Sequence, residues 1–211
     1  MSQNARPPIP VEVYSDYVCP WCYMNFTSLE QVSREFPLEI QWRAFELQPR
    51  EAPLDPGALA EKQRYIEAHF PAVRRIAKDQ YGLDLSFGRL DVDTRLAHVG
   101  AKLAAACGKA WEYHAKVFEA HWVQQADIGD PEVLAGIAGQ LDIDREAFRE
   151  GLDDEELHAG VLREEAAAHR LGIRGVPATV IAGRYLLSGA QTRERLRSVF
   201  QEYQRRGQLG S

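Results

Sequence analysis

Cysteine and methionine are scarce in this chain, with three and two among 211 residues. So few cysteines, and an odd number of them, exclude a disulfide-stapled scaffold. Long apolar runs are missing as well: none approaches the roughly 18 residues a membrane helix needs. Met1 to Pro10 is polar and proline-rich, without the charged start and apolar core of a secretory signal. The expectation is a cytoplasmic protein with no membrane partner. Positive charge is in deficit, 25 Lys and Arg against 31 Asp and Glu, for a net charge of −6. Such a chain has no general attraction for nucleic acid or anionic lipid. Neither an internal repeat nor a low-complexity segment occurs. What is present is ordinary for a globular chain: 45% hydrophobic and 27% charged residues, enough for one domain or one domain carrying an insertion.

Ile9, Val11 and Val13 alternate up to Ser15, which predicts a strand. Cys19-Pro20-Trp21-Cys22 follows and opens a helical pattern. Cys22, Phe26, Leu29, Val32 and Phe36 form one apolar stripe, and Pro37 ends it. Leu38, Ile40, Trp42 and Ala44 alternate with polar residues as a half-buried strand. Gln48 to Gly57 holds three prolines and reads as a turn region. From Ala58 to Arg170 the pattern is helical, with breaks expected at Pro71, Gly82 to Gly88, Gly108 and Asp127 to Pro131. Asp130 caps the helix that Pro131 opens, and the acidic run Asp153 to Glu156 suits the start of the last long helix. Ala178 to Ala182 and Tyr185 to Ser188 read as a hairpin turning at Gly183-Arg184. Ser188 and Gln191 fit a capping box for a final helix with the stripe Leu196, Val199, Phe200 and Tyr203. The fold class is α/β: a βαβ half (1–52), an all-helical insertion (53–170) and a ββα half (171–211).

The cysteine pair carries the chemistry. Cys19 stands where a strand becomes a helix, with Pro20 at the first helical position. It therefore faces the positive end of the helix dipole and unpaired backbone N–H groups, which favour thiolate over thiol. Cys22 falls on the apolar stripe, facing the core. This asymmetry predicts Cys19 as an exposed nucleophile and Cys22 as a shielded resolving thiol. Asp16, if it points inward, brings an opposing negative charge. A structural zinc site would need four ligands, and neither Cys107 nor a close pair among the six histidines supplies the rest, so no metal is expected. Cys107 ends an alanine-rich helix and reads as a small buried residue. Trp111, Tyr113, His114, Phe118 and Trp122 share one helix of the insertion. Core packing is the first reading for them, and an apolar wall beside the cysteines is the second. Trp21 should be partly exposed.

Gly175-Val176-Pro177 opens the hairpin. A proline is permitted at a strand start. Base rates favour a trans bond there, while a cis bond would turn the Val176 backbone outward, able to pair with an extended peptide.

The order strand, Cys-Pro-Trp-Cys, helix, strand, helical block, Val-Pro, hairpin, helix resembles the DsbA family of thioredoxin-fold oxidoreductases. Tyr14-Ser15-Asp16-Tyr17-Val18-Cys19-Pro20-Trp21-Cys22-Tyr23, Phe45-Glu46-Leu47-Gln48-Pro49, Gly172-Ile173-Arg174-Gly175-Val176-Pro177 and Ser188-Gly189-Ala190-Gln191 are similar to its FrnE-like, leaderless branch. The resemblance spans about residues 10 to 206. It implies a thioredoxin fold with a helical insertion, a redox-active Cys19–Cys22 pair and a cis Pro177. It further implies that Pro20, Trp21, Val176 and Pro177 contact protein or peptide thiol and disulfide substrates. No cofactor is expected beyond that disulfide, with glutathione as a candidate redox partner. The best-known periplasmic members carry histidine where this chain has Trp21, so a less strongly oxidising couple is expected. Two other readings stand beside disulfide oxidoreductase or isomerase. One is a kappa-class glutathione transferase or 2-hydroxychromene-2-carboxylate isomerase, which carries serine at the nucleophile position. The other is a non-catalytic holdase.

Overall fold

The computed structural model describes residues 7–51, 55–86 and 92–208. The chain begins with β1 (Ile9–Ser15), α1 (Pro20–Ser33) and β2 (Leu38–Ala44). Six helices follow: α2 (Pro56–Tyr81), α3 (Arg95–Ala106), α4 (Ala110–Trp122), α5 (Pro131–Gly139), α6 (Arg145–Gly151) and α7 (Glu155–Arg170). β3 (Ala178–Ile181), β4 (Tyr185–Ser188) and α8 (Arg193–Gln208) complete it. The four strands form one sheet in the order β2-β1-β3-β4. β1 pairs parallel with β2, and the two later pairings are antiparallel. This is the expected α/β thioredoxin fold with helices between its βαβ and ββα halves. The expected boundary at 52 to 53 lies outside the described residues.

β1 is central, hydrogen-bonded to β2 on one side and β3 on the other. Ile9, Val11 and Val13 pack with Leu29 and Val32 of α1 and with Leu196 and Phe200 of α8. The helical block is not a separate core. Cys22, Met24 and Phe26 of α1 join one apolar cluster with Val117 and Phe118 of α4 and Leu134 of α5. α3 and α4 approach closely because residue 100 is glycine: a Cβ built there would lie 2.1 Å from the Tyr113 hydroxyl oxygen.

Four local expectations are corrected. Pro71 does not break the helix but lies inside α2. Its face is exposed, so water can satisfy the carbonyl its ring frees. The strand β3 stops at Ile181, and the turn residues are Ala182 and Gly183, both at positive φ (51° and 64°), closed by Arg184 N donating to Ile181 O at 3.0 Å. No Ser188–Gln191 capping box forms. Ser188 ends β4, Gln191 Nε2 donates to the Ser188 and Gly189 carbonyls, and Thr192 Oγ1 accepts from Arg195 N as the cap of α8. Cys107 is exposed rather than buried, because it is the C-cap of α3, where the chain leaves the packed surface.

The Ala182 backbone disfavours an L side chain, by roughly 1 kcal/mol. Ala182→Gly should therefore raise stability by about 0.5–1 kcal/mol, read by urea unfolding. A destabilised variant would contradict this turn geometry.

Candidate active site

β1 delivers the chain to the start of α1, and the intervening turn is tightly closed. Cys19 N donates to Asp16 O at 3.2 Å, and Cys22 N and Tyr23 N donate to Cys19 O at 3.0 and 3.3 Å. Cys19 is the N-cap itself (φ −97°, ψ 114°), followed by Pro20, and no side chain caps the helix. Trp122 Nε1 donates to Tyr17 O at 2.8 Å, which fixes the turn from α4.

The Cys19 thiol lies 3.6 Å from the Val176 carbonyl oxygen. The Val176–Pro177 bond is cis. Pro177 is buried, and its carbonyl accepts from Gly189 N at 2.8 Å. Cys22 is buried behind Cys19, its sulfur accepting from Asp16 N at 3.4 Å. Burial pushes the Cys22 thiol well up, and its hydrogen bond with Cys19 adds to this, while Asp16 N and the Ser15 side chain oppose it. The structure holds both cysteines as free thiols.

The expected exposure of Cys19 is corrected: the residue is 4% exposed. Val176 lies against its sulfur, and α2 and Trp122 wall the space in front of it. A groove of about 470 Å³ runs between the turn and α2, lined by Cys19, Pro20 and Trp21 on one side and by Lys62, Phe70 and Val73 of α2 on the other. Trp122 lines it too, so α4 serves both as core and as groove wall. Trp21 is half-buried at the rim, as expected.

Several side chains at the site escape sequence reasoning. Asn25, fully buried in α1, donates from Nδ2 to Thr179 Oγ1 at 3.2 Å and accepts at Oδ1 from Gln191 N at 3.1 Å. Asp16 does point inward, where its Oδ2 accepts from Leu47 N at 2.7 Å and its Oδ1 lies 3.4 Å from His98 Nε2. Lys62 Nζ donates to Gln48 Oε1 at 2.9 Å, and burial holds its ammonium below the usual lysine range, partly offset by Asp16. Glu46 is buried against Arg95 of α3, whose Nε donates to Glu46 Oε2 at 2.8 Å. The two quoted stretches around Asp16 and Glu46 thus meet through Leu47.

Two histidines are buried, His121 lining the groove and His114 behind it. Burial drives the His114 imidazole down to about 3 and His121 to about 4. Both are neutral in the folded chain near neutral pH. In the unfolded chain they protonate near pH 6.5. The native state is then favoured above pH 6.5, and this advantage falls as pH drops toward 4. Below pH 6.5 each histidine should remove stability with a slope that steepens toward about 1.4 kcal/mol per pH unit near pH 5. Urea unfolding across that range tests it. A flat profile would contradict the burial, and His114→Gln should make the decline shallower.

The profile of the DSBA-like thioredoxin domain family matches residues 10–201. A curated relative, the uncharacterized protein YwbO of Bacillus subtilis, is 29% identical over 187 residues, covering 86% of this chain and 90% of that protein. The crystal structure of a probable DsbA oxidoreductase from Streptomyces coelicolor superimposes with a TM-score of 0.77 at 26% identity, covering 92% and 89% of the two chains. The cytosolic disulfide reductase DsbM of Pseudomonas aeruginosa shares the fold at 19% identity, with a TM-score of 0.70 over 93% and 98% of the chains, and has also been solved with GSH. With a match across nearly all of its length, this chain belongs to the DSBA-like thioredoxin domain family.

Proposed function

We propose that the protein is a cytoplasmic thiol–disulfide oxidoreductase or isomerase whose Cys-Pro-Trp-Cys site acts on protein or peptide disulfides. One observation carries this reading: Cys19 is the N-cap residue of α1, its sulfur lies in a groove against the Val176 carbonyl, and Cys22 is buried behind it. Cys19 thiolate attacks a substrate disulfide R–S–S–R′, forms Cys19–S–S–R and expels R′–S⁻. Cys22 thiolate then attacks the Cys19 sulfur, closes the Cys19–Cys22 disulfide and expels R–S⁻. Two electrons pass from the protein dithiol to the substrate disulfide. A thiol reductant returns them, and glutathione is the proposed one, its carboxylates suiting Lys62 at the groove wall. Pro20 and Trp21 form the rim that meets the substrate. Val176 offers its backbone to an extended chain, and Pro177 sets the course of that backbone.

The transferase and isomerase readings take serine at the nucleophile position, and this chain keeps both cysteines. A holdase would not need the second thiol. Cys19→Ser should reduce disulfide exchange to background while the fold persists. Cys22→Ser should accumulate a mixed disulfide between Cys19 and substrate, visible as a mass adduct. Exchange surviving in Cys19→Ser would overturn the assignment, as would a Cys22→Ser variant that traps nothing.

A further inference from the structure

Among the described residues that line the Cys19 groove, Lys62 is the one lysine, arginine, aspartate or glutamate. The remaining walls are mostly apolar, with Val18, Trp21, Ile66, Phe70, Val73 and Trp122. His121 lines the groove too, but burial holds its imidazole at about 4, so it carries no charge near neutral pH. Lys62 is half-buried, and its ammonium makes no ion pair among the described residues. Its hydrogen-bond partner is neutral: Nζ donates to Gln48 Oε1 at 2.9 Å. Burial holds the ammonium below the usual lysine range. A cation drawn partly out of water without a counter-ion is unfavourable, and an anion entering the groove offsets that.

Gln48 supplies the second half of the site. Its amide oxygen accepts from Lys62, which leaves its Nε2 to donate. The ammonium keeps further N–H donors of its own. Side by side, the two groups present donors to one point, the complement of a carboxylate. A chain of hydrogen bonds fixes their place relative to the nucleophile. Cys19 N donates to Asp16 O at 3.2 Å, and Leu47 N donates to Asp16 Oδ2 at 2.7 Å. Gln48 follows Leu47 and reaches Lys62 on α2. The cation is thereby held on the wall of the groove that faces Cys19.

We propose that Lys62 and Gln48 form a carboxylate site that selects the disulfide. A substrate that brings its sulfur to Cys19 and a nearby carboxylate to this pair is preferred over neutral and cationic ones. The assignment rests on the exchange reaction proposed above and names the substrate class of that reaction. Oxidised glutathione and a peptide with an acidic residue beside its cysteine share this chemistry. The bonds made and broken are those already given. Lys62 and Gln48 hold the substrate and move neither proton nor electron.

The test is a ratio of rates. Reduced protein carrying Cys107→Ser is mixed with small disulfides of like size that end in carboxylate, hydroxyl or ammonium: dithiodipropionate, hydroxyethyl disulfide and cystamine. Loss of the Cys19 and Cys22 thiols, counted by mass after alkylation, gives each rate, which is divided by the rate with free dithiothreitol. The native protein should favour the carboxylate compound over the hydroxyl compound. Lys62→Met should lower that ratio by about tenfold, the loss of one charge-assisted contact. Gln48→Leu should lower it less, and Lys62→Arg should keep most of it. Oxidised glutathione against its ethyl ester, and a peptide disulfide with glutamate against one with glutamine beside its cysteine, identify the source. The pair whose ratio falls further in Lys62→Met marks the better-fitting one. Equal ratios in the native protein and Lys62→Met would overturn the carboxylate site, as would a loss of rate shared by all three compounds. Native protein that none of them oxidises would overturn the exchange reading, and this site with it.

Discussion

Asn25 sits fully buried in the middle of α1, where an unsatisfied amide would cost about 1–3 kcal/mol. Its nitrogen donates to Thr179 on β3 and its oxygen accepts from Gln191 before α8. The cysteine helix is thereby bonded to the strand that Pro177 opens. The cysteine pair and Val176 stand more than 150 positions apart in sequence, yet the Cys19 sulfur meets the Val176 carbonyl at 3.6 Å. Apolar packing alone would allow α1 to slide or rotate on the sheet. Directional hydrogen bonds at one buried amide fix its register, and the relation between Cys19 and the Val176 backbone follows from that.

The helical block is tied to the same place by charge. Asp16 accepts from Leu47 N, and Glu46 is paired with Arg95 of α3. Arg95 also reaches Glu51, which is largely exposed. A buried ion pair adds little net stability against an apolar replacement, but breaking one partner of it is costly. Its use here is positional: it holds the segment after β2 under α2 and so shapes one wall of the groove. The site is asymmetric as a result. Cys19 opens to a largely apolar groove with one cation, whereas Cys22 is buried behind it in the core.

Much of this was legible in the sequence where the signal is local. Period-two alternation gave β1 and β2, and the stripe from Cys22 to Val32 gave α1 and the inward face of Cys22. The role of Asp130 as a cap and the acidic start of α7 follow from their neighbours in the chain. Legibility ended where tertiary packing decides. Pro71 reads as a breaker because local rules omit that an exposed helix can hydrate its lost bond. The N-cap position of Cys19 suggests exposure, and distant segments, the Val176 backbone, α2 and Trp122, enclose it. Cys107 looks like core by its alanine neighbours, although a helix end is where the chain departs from the core. Asn25, His98 and Lys62 carry no local mark, since each acquires its partners from distant segments.

The central claim is that Cys19 and Cys22 form one reversible two-electron couple. Its most direct test is equilibration of the purified protein in glutathione buffers of graded ratio, with free thiols counted at each point and Cys107 replaced by serine. The account predicts that two thiols disappear together in a single two-electron transition, leaving an intramolecular Cys19–Cys22 disulfide with no glutathione attached at the oxidised end. Two thiols that remain free throughout, or that react independently to give only glutathione adducts, would contradict it.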